Sequence, residues 1–137
     1  MTVFPAMQDL ARRIVAVEAA RAQAADTQVD VAVRACEKLQ APLSRFTGPA
    51  GFLSLLSRAL VLAKAEAPSL TAVQIRPDGS LAGFDTLKHE QDVGALEKGR
   101  VVLLAHLLGL LAIFIGESLT RRLTQDAWPD VSIDKTD

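Results

Sequence analysis

Tyrosine is absent from this chain, tryptophan occurs once, and aromatic residues make up only 4% of it. Nucleobases and sugar rings are usually held on aromatic faces, so this scarcity removes the stacking platforms they need. An excess of charge is also lacking: 15 basic residues against 16 acidic ones leave a formal net charge of −1. Such a balance supplies no field to draw in nucleic acid or an anionic membrane surface. A single cysteine, Cys36, excludes an intrachain disulfide. Its neighbours Val33, Ala35 and Leu39 give it the setting of a small buried hydrophobe. Residues 1–7 lack the basic stretch and apolar run of a secretory signal, so a bacterial-type cytoplasmic address is expected.

Recognisable catalytic motifs are missing too. There is no GxSxG, no glycine-rich phosphate loop and no HExxH. His89 with Asp85, Glu90 and Asp92 has the residue types of a metal cluster, but adjacent residues on a helix point apart. Pro77-Asp78-Gly79 lacks the alternating oxygen ligands of a calcium loop and reads as a turn. His106 invites comparison with the helical histidine of phosphotransfer domains. No lysine follows it in that pattern, however, and Leu104, Leu107, Leu108 and Leu110 surround it. No second ligand or attachment motif supports haem. A hydrogen-bonded core histidine is the expectation. The sequence therefore nominates no catalytic residue, no cofactor and no metal ligand.

What the chain does have is apolar patterning. Half of its 137 residues are hydrophobic, enough for one domain spanning 1–137 with a frayed tail over 130–137. Pro5 at a first turn, then Met7, Leu10, Ala11, Ile14 and Val17, predict an amphipathic helix to about Ala25. Its outer face would carry Asp9, Arg12, Arg13, Glu18 and Arg21. A second helix would turn Val29, Ala32, Val33, Cys36 and Leu39 inward, and Pro42 would kink or end it. Thr47-Gly48-Pro49 is a start signal for a third, with Phe52, Leu53, Leu56, Ala59, Leu60 and Ala63 apolar before Pro68 stops it.

The period then changes. Val73 and Ile75 alternate with Gln74 and Arg76, the Pro77-Asp78-Gly79 turn follows, and Ser80 to Phe84 returns as a partner strand. Residues 85–99 are undecided, with Asp85 and Asp92 both suited to N-caps and Gly94 and Gly99 weakening a helix. Val101 to Gly116 is apolar on all sides, then Glu117–Arg121 and Arg122–Asp126 mark a surface helix ending at Trp128-Pro129. An all-round apolar helix is either a core helix or a membrane span. Val101 to Ile115 covers roughly 22 Å, short of the ~30 Å hydrocarbon layer, which favours the core. The expected fold is a mainly α, bundle-like single domain of four to five helices with one β-hairpin inserted near 71–84.

Three strings resemble a group of short bacterial helical proteins that end in an FIGExLT…WP-type pattern. They are Cys36-Glu37-Lys38-Leu39 with Pro42-Leu43, then Gly51 to Leu60, and Phe114-Ile115-Gly116-Glu117-Ser118-Leu119-Thr120 leading to Trp128-Pro129. The resemblance spans roughly residues 10–130 and implies a stand-alone, single-domain bacterial protein. No activity is established for that group, so no site residue carries over.

Two functional classes follow. The first is a non-enzymatic protein-interaction or regulatory module that self-associates. The small-residue stripe Ala105, Gly109, Ala112 and Gly116 suits close helix packing, within the chain or across a dimer seam, and a homodimer would use that stripe or the exposed hairpin edges at Val73 and Ile75. Val131 to Ile133 and Thr2 to Phe4 are the weak candidates to cover those edges. The alternative is a small-ligand sensor with an apolar pocket between the hairpin and the helices. Nucleic acid is not an expected partner, and membrane association ranks last.

Overall fold

The computed structural model describes residues 5–25, 30–84, 93–129 and 131. Helix α1 is Pro5–Ala25, α2 is Val31–Glu66, α3 is Val93–Ile115 and α4 is Glu117–Ala127. A 3-10 turn, Pro68–Leu70, and a two-stranded antiparallel sheet, β1 (Gln74–Ile75) with β2 (Leu81–Ala82), lie between α2 and α3. The fold is thus mainly α with an inserted hairpin. His89 and its acidic neighbours Asp85, Glu90 and Asp92 lie outside the described residues, as do Val29, residues 2–4 and residues 132–133.

Helix α2 is two arms. Gly48 leaves the helical region (φ 75°, ψ 159°), and Pro49, with no N–H to contribute, opens the second arm. The helix passes through Pro42 without ending, so the break falls at the Thr47-Gly48-Pro49 signal. A straight rod of 36 residues would be ~54 Å long. Yet Asp30, at its start, bonds Arg100, and Glu66, at its end, bonds His106. Those two partners are only ~9 Å apart along α3. The arms 31–47 and 49–66 must therefore fold back on one another as a helical hairpin.

Helix α3 occupies the centre and packs on α1, both ends of α2, the 3-10 turn and α4. Residues 102–109 are all buried, without a polar face, which is why this segment is apolar on every side. Among the described residues, two stretches, Val31–Glu66 and Gly94–Ile115, are long and apolar enough to cross a membrane, with mean hydropathies of 1.4 and 1.9. The bend at Gly48 divides the first. The apolar window of the second is 61% buried inside the fold, as the core helix of a bundle is.

Two expectations need correction. Helix α3 does not continue through Gly116, which adopts φ 94° and ψ 150°, a conformation costly for any residue with a Cβ. The chain turns there, and the amphipathic α4 starts afresh at Glu117. Its buried Thr120 and Thr124 satisfy their hydroxyls on Gly116 O and Arg121 O, at 2.9 and 2.8 Å. The second correction is Glu18, placed on the outer face of α1 but only 3% exposed. Its carboxylate accepts from Trp128 Nε1 at 2.6 Å and from Lys38 Nζ, with Arg21 at 3.8 Å. One oxygen thereby ties α1, the first arm of α2 and the end of α4 together.

The expected hairpin forms, with Ile75 opposite Leu81 and Gln74 opposite Ala82. Asp78 accepts from the Ser80 hydroxyl and backbone N–H at 2.6 and 2.9 Å, which holds its carboxyl below the usual carboxylate range. Val73 is fully buried and Ile75 half-buried. Each therefore packs against the helices in some degree, as a two-stranded ribbon must to persist.

Candidate functional site

The first turns of α1, the end of α2 and the first half of α3 diverge around a cleft of about 460 Å³. That lies within the range of small-molecule sites. Three layers of side chain line it. Val101, Val102 and Ala105 of α3 form an apolar floor; Gln8 and Arg12 of α1 and Glu97 and Lys98 of α3 form a polar rim; His106 and Glu66 close one wall. Helical spacing explains the assembly. Positions 94, 97, 98, 101, 102, 105 fall on one stripe of α3, at the i, i+3, i+4 repeat, and 8 and 12 are one turn apart on α1.

His106 is the buried polar element of this wall, its side chain 4% exposed. Its Nε2 lies 2.9 Å from Glu66 Oε1, whose side chain is 39% exposed. Facing an acceptor-only carboxylate, Nε2 carries the ring proton in the neutral imidazole and leaves Nδ1 as an acceptor. Nδ1 has no partner among the described residues. Arg12 and Lys98 are exposed and make no ion pair among the described residues, so two cations stand uncommitted at the rim. The expectation of a hydrogen-bonded core histidine matches this geometry, but its partner sits 40 residues away in sequence. The cleft that surrounds it was not legible.

Of the other predicted positions, Ala105 borders the cleft floor and the rest fall elsewhere. Ala105, Gly109 and Ala112 are buried inside the chain, so that stripe is used in packing α3 against its own neighbours. Gly116, off the helix, is exposed, with nothing within 4 Å of a Cβ built there. Between hairpin and helices, where a pocket was expected, lies a crevice of about 140 Å³ lined by Gln40, Phe52, Leu53 and the 77–79 turn. The 460 Å³ cleft is lined from α1, α2 and α3. Exposed apolar side chains gather differently again: Ile113 and Phe114 at the last turn of α3 are 73% and 59% exposed, and Phe46 and Val61 on α2 are 51% and 68% exposed.

Cys36 is no part of the cleft. Burial first, then the nearby charges of Asp30 and Glu37, push its thiol up from 9.0 to about 12. At pH 8, with the thiol at about 12, on the order of one molecule in ten thousand carries the nucleophilic thiolate. The native protein should leave Ellman's reagent unreacted at pH 8 and release one equivalent on unfolding in guanidinium. The raised value also sets a sign for stability. Above pH 9 the unfolded chain ionises Cys36 and the folded chain does not, so stability falls as pH rises towards 12, by up to about 1.4 kcal/mol per pH unit. Urea melts from pH 9 to 10.5 should show a steeper loss in the wild type than in Cys36→Ala; parallel losses would contradict the assignment.

Among the described residues no group of three His, Cys, Asp or Glu side chains could hold a metal ion. No family model matches the chain, and neither does any curated protein or solved structure.

Proposed function

We propose that the protein is a non-enzymatic binding module, a sensor or regulatory subunit, whose input is a small molecule taken into the α1–α2–α3 cleft. The observation that carries this reading is the convergence of a buried His106–Glu66 pair, two uncommitted rim cations and an apolar floor on one cavity of ligand size. Binding is favoured over catalysis because the cleft lining holds no hydroxyl or thiol among the described residues, and the one thiol is buried elsewhere and kept protonated. Lys98, the amine that could serve as nucleophile or proton donor beside the imidazole, is an exposed side chain at the rim. The balanced charge and scarce aromatic residues support a proposal of no nucleic-acid partner.

Native mass spectrometry of the protein, purified without detergent from its own host, tests this reading. The expected result is a mass increment from a retained molecule that disappears in Val102→Trp, which fills the floor. A wild-type spectrum with no increment, together with unchanged melting on adding a metabolite extract, would count against the cleft as a binding site.

A second reading, self-association as a homodimer, is favoured by the adjacent exposure of Ile113 and Phe114. Large apolar side chains exposed side by side commonly mark contact surfaces. Sedimentation at high micromolar concentration should give a dimer that Phe114→Ser converts to monomer. A wild-type monomer under those conditions removes the dimer.

A further inference from the structure

The polar atoms of the cleft also carry information about the charge of what it holds. His106 is more than nine-tenths buried and commits Nε2 to Glu66, while its Nδ1 meets no protein group among the described residues. The charged groups that line the cavity with it are Glu66 from α2, Arg12 from α1, and Glu97 and Lys98 from α3, with Gln8 as the neutral polar group of α1. With His106 neutral, these charges cancel. With His106 protonated, the imidazolium offsets Glu66, and the cleft is left with one positive charge in excess over Glu97. A neutral imidazole presents an acceptor at Nδ1; an imidazolium presents a donor. An anion next to that ring therefore supplies both what Nδ1–H needs and the charge that the protonated cleft lacks, and below it Val101, Val102 and Ala105 offer only apolar contact.

We propose that the cleft binds an aliphatic monocarboxylate, its anion received by Arg12, Lys98 and the Nδ1–H of His106, and that binding carries one proton onto His106. This rests on the reading of the cleft as a ligand site and adds the ligand's charge, its apolar body and the proton that accompanies it. The proton comes from solvent and adds to Nδ1; no covalent bond to the ligand forms. Affinity must then rise as pH falls, by up to about tenfold per unit between the free-state and bound-state titrations. Glu66 favours the imidazolium and Glu97 opposes the ligand, whereas Arg12 and Lys98 attract the ligand and oppose the imidazolium. The rim cations and the histidine are thus separable by their pH behaviour.

Octanoate serves as the probe and octan-1-ol as its uncharged homologue, each titrated calorimetrically into the full chain at pH 6, 7 and 8. Each pH is run in two buffers of different ionisation enthalpy, so that the protons exchanged are counted. Octanoate should bind more tightly at pH 6 than at pH 8 by tenfold or more, with close to one proton taken up per ligand at pH 8. Octan-1-ol should bind more weakly and take up none. Arg12→Gln should weaken octanoate about tenfold at every pH and keep the proton uptake. His106→Asn should abolish that uptake, and Glu66→Gln, at a half-exposed position, reduces it without emptying a core site, so the test survives a poorly folded histidine variant. Octan-1-ol binding as tightly as octanoate, or octanoate binding without proton uptake, would overturn the ligand class while leaving the cleft a binding site. Binding of neither probe, with cleft amide resonances unmoved, would overturn both.

Discussion

Trp128→Ala is expected to cost about 3–5 kcal/mol, the largest loss for a single substitution near the C-terminal end. The indole is fully buried, and truncating a buried tryptophan forfeits its transfer energy and leaves a cavity. It also deletes the donor to Glu18 Oε2 at 2.6 Å, so a buried carboxylate keeps only Lys38 and Arg21 as partners. The backbone of Trp128 caps α4 through its N–H to Thr124 O at 2.8 Å, and that bond survives the substitution. Trp128→Phe separates the two effects, because it keeps most of the apolar volume and loses only the donor. About 1–3 kcal/mol is expected for it, the cost of an unsatisfied buried acceptor. Urea denaturation followed by far-UV circular dichroism measures both; equal losses for Ala and Phe would mean that the hydrogen bond, not the packing, dominates.

Asp30→Ala should be comparably damaging, again about 3–5 kcal/mol, for a different reason. Asp30 Oδ1 accepts from the Ala32 N–H at 2.8 Å, capping α2, and caps of this kind contribute about 1 kcal/mol. The same carboxylate is held by Arg100, with Nη2 to Oδ2 at 2.9 Å and Nε at 3.2 Å from both oxygens. Both side chains are mostly buried, at 3% and 14% exposure. Removing one partner strands the guanidinium in low dielectric, which is where a broken buried pair becomes expensive. Asp30→Asn retains an excellent cap and loses the charge, so its loss relative to wild type reports the ion pair, and the difference between the two variants reports the cap. If Asp30→Ala and Asp30→Asn melt together, the ion pair dominates and the cap is silent; if Asp30→Asn matches wild type, the ion pair contributes nothing.

The sequence was informative wherever structure is set locally. The Met7, Leu10, Ala11, Ile14 spacing, the Gly48-Pro49 break, the Pro77-Asp78-Gly79 turn and the apolar run after Arg100 each read correctly. In each case the backbone choice is made by residues within one or two turns. Gly116 was misjudged because glycine in an apolar run has two meanings, close packing or a positive φ, and composition does not distinguish them. Glu18 was misjudged because a glutamate among arginines on an amphipathic helix normally faces water. Its burial is decided by Trp128, 110 residues along the chain. The cleft was invisible for the same kind of reason. Arg12, Glu66, Lys98 and His106 belong to three helices, and only the fold-back of α2 brings Glu66 to the ring of His106. Before the structure, each was an isolated charge or a core histidine.

The account turns on the cleft being the place where the protein meets a small molecule. Amide chemical-shift mapping of the full chain in aqueous buffer at pH 6, titrated with octanoate, addresses that directly. The account predicts saturable shifts confined to residues around 8–12, 66 and 94–106, with Gln40, Leu53 and the 77–79 turn unmoved and Ile113 and Phe114 unaffected. Shifts centred on Ile113 and Phe114, or spread evenly over exposed apolar positions with no saturation, would contradict it.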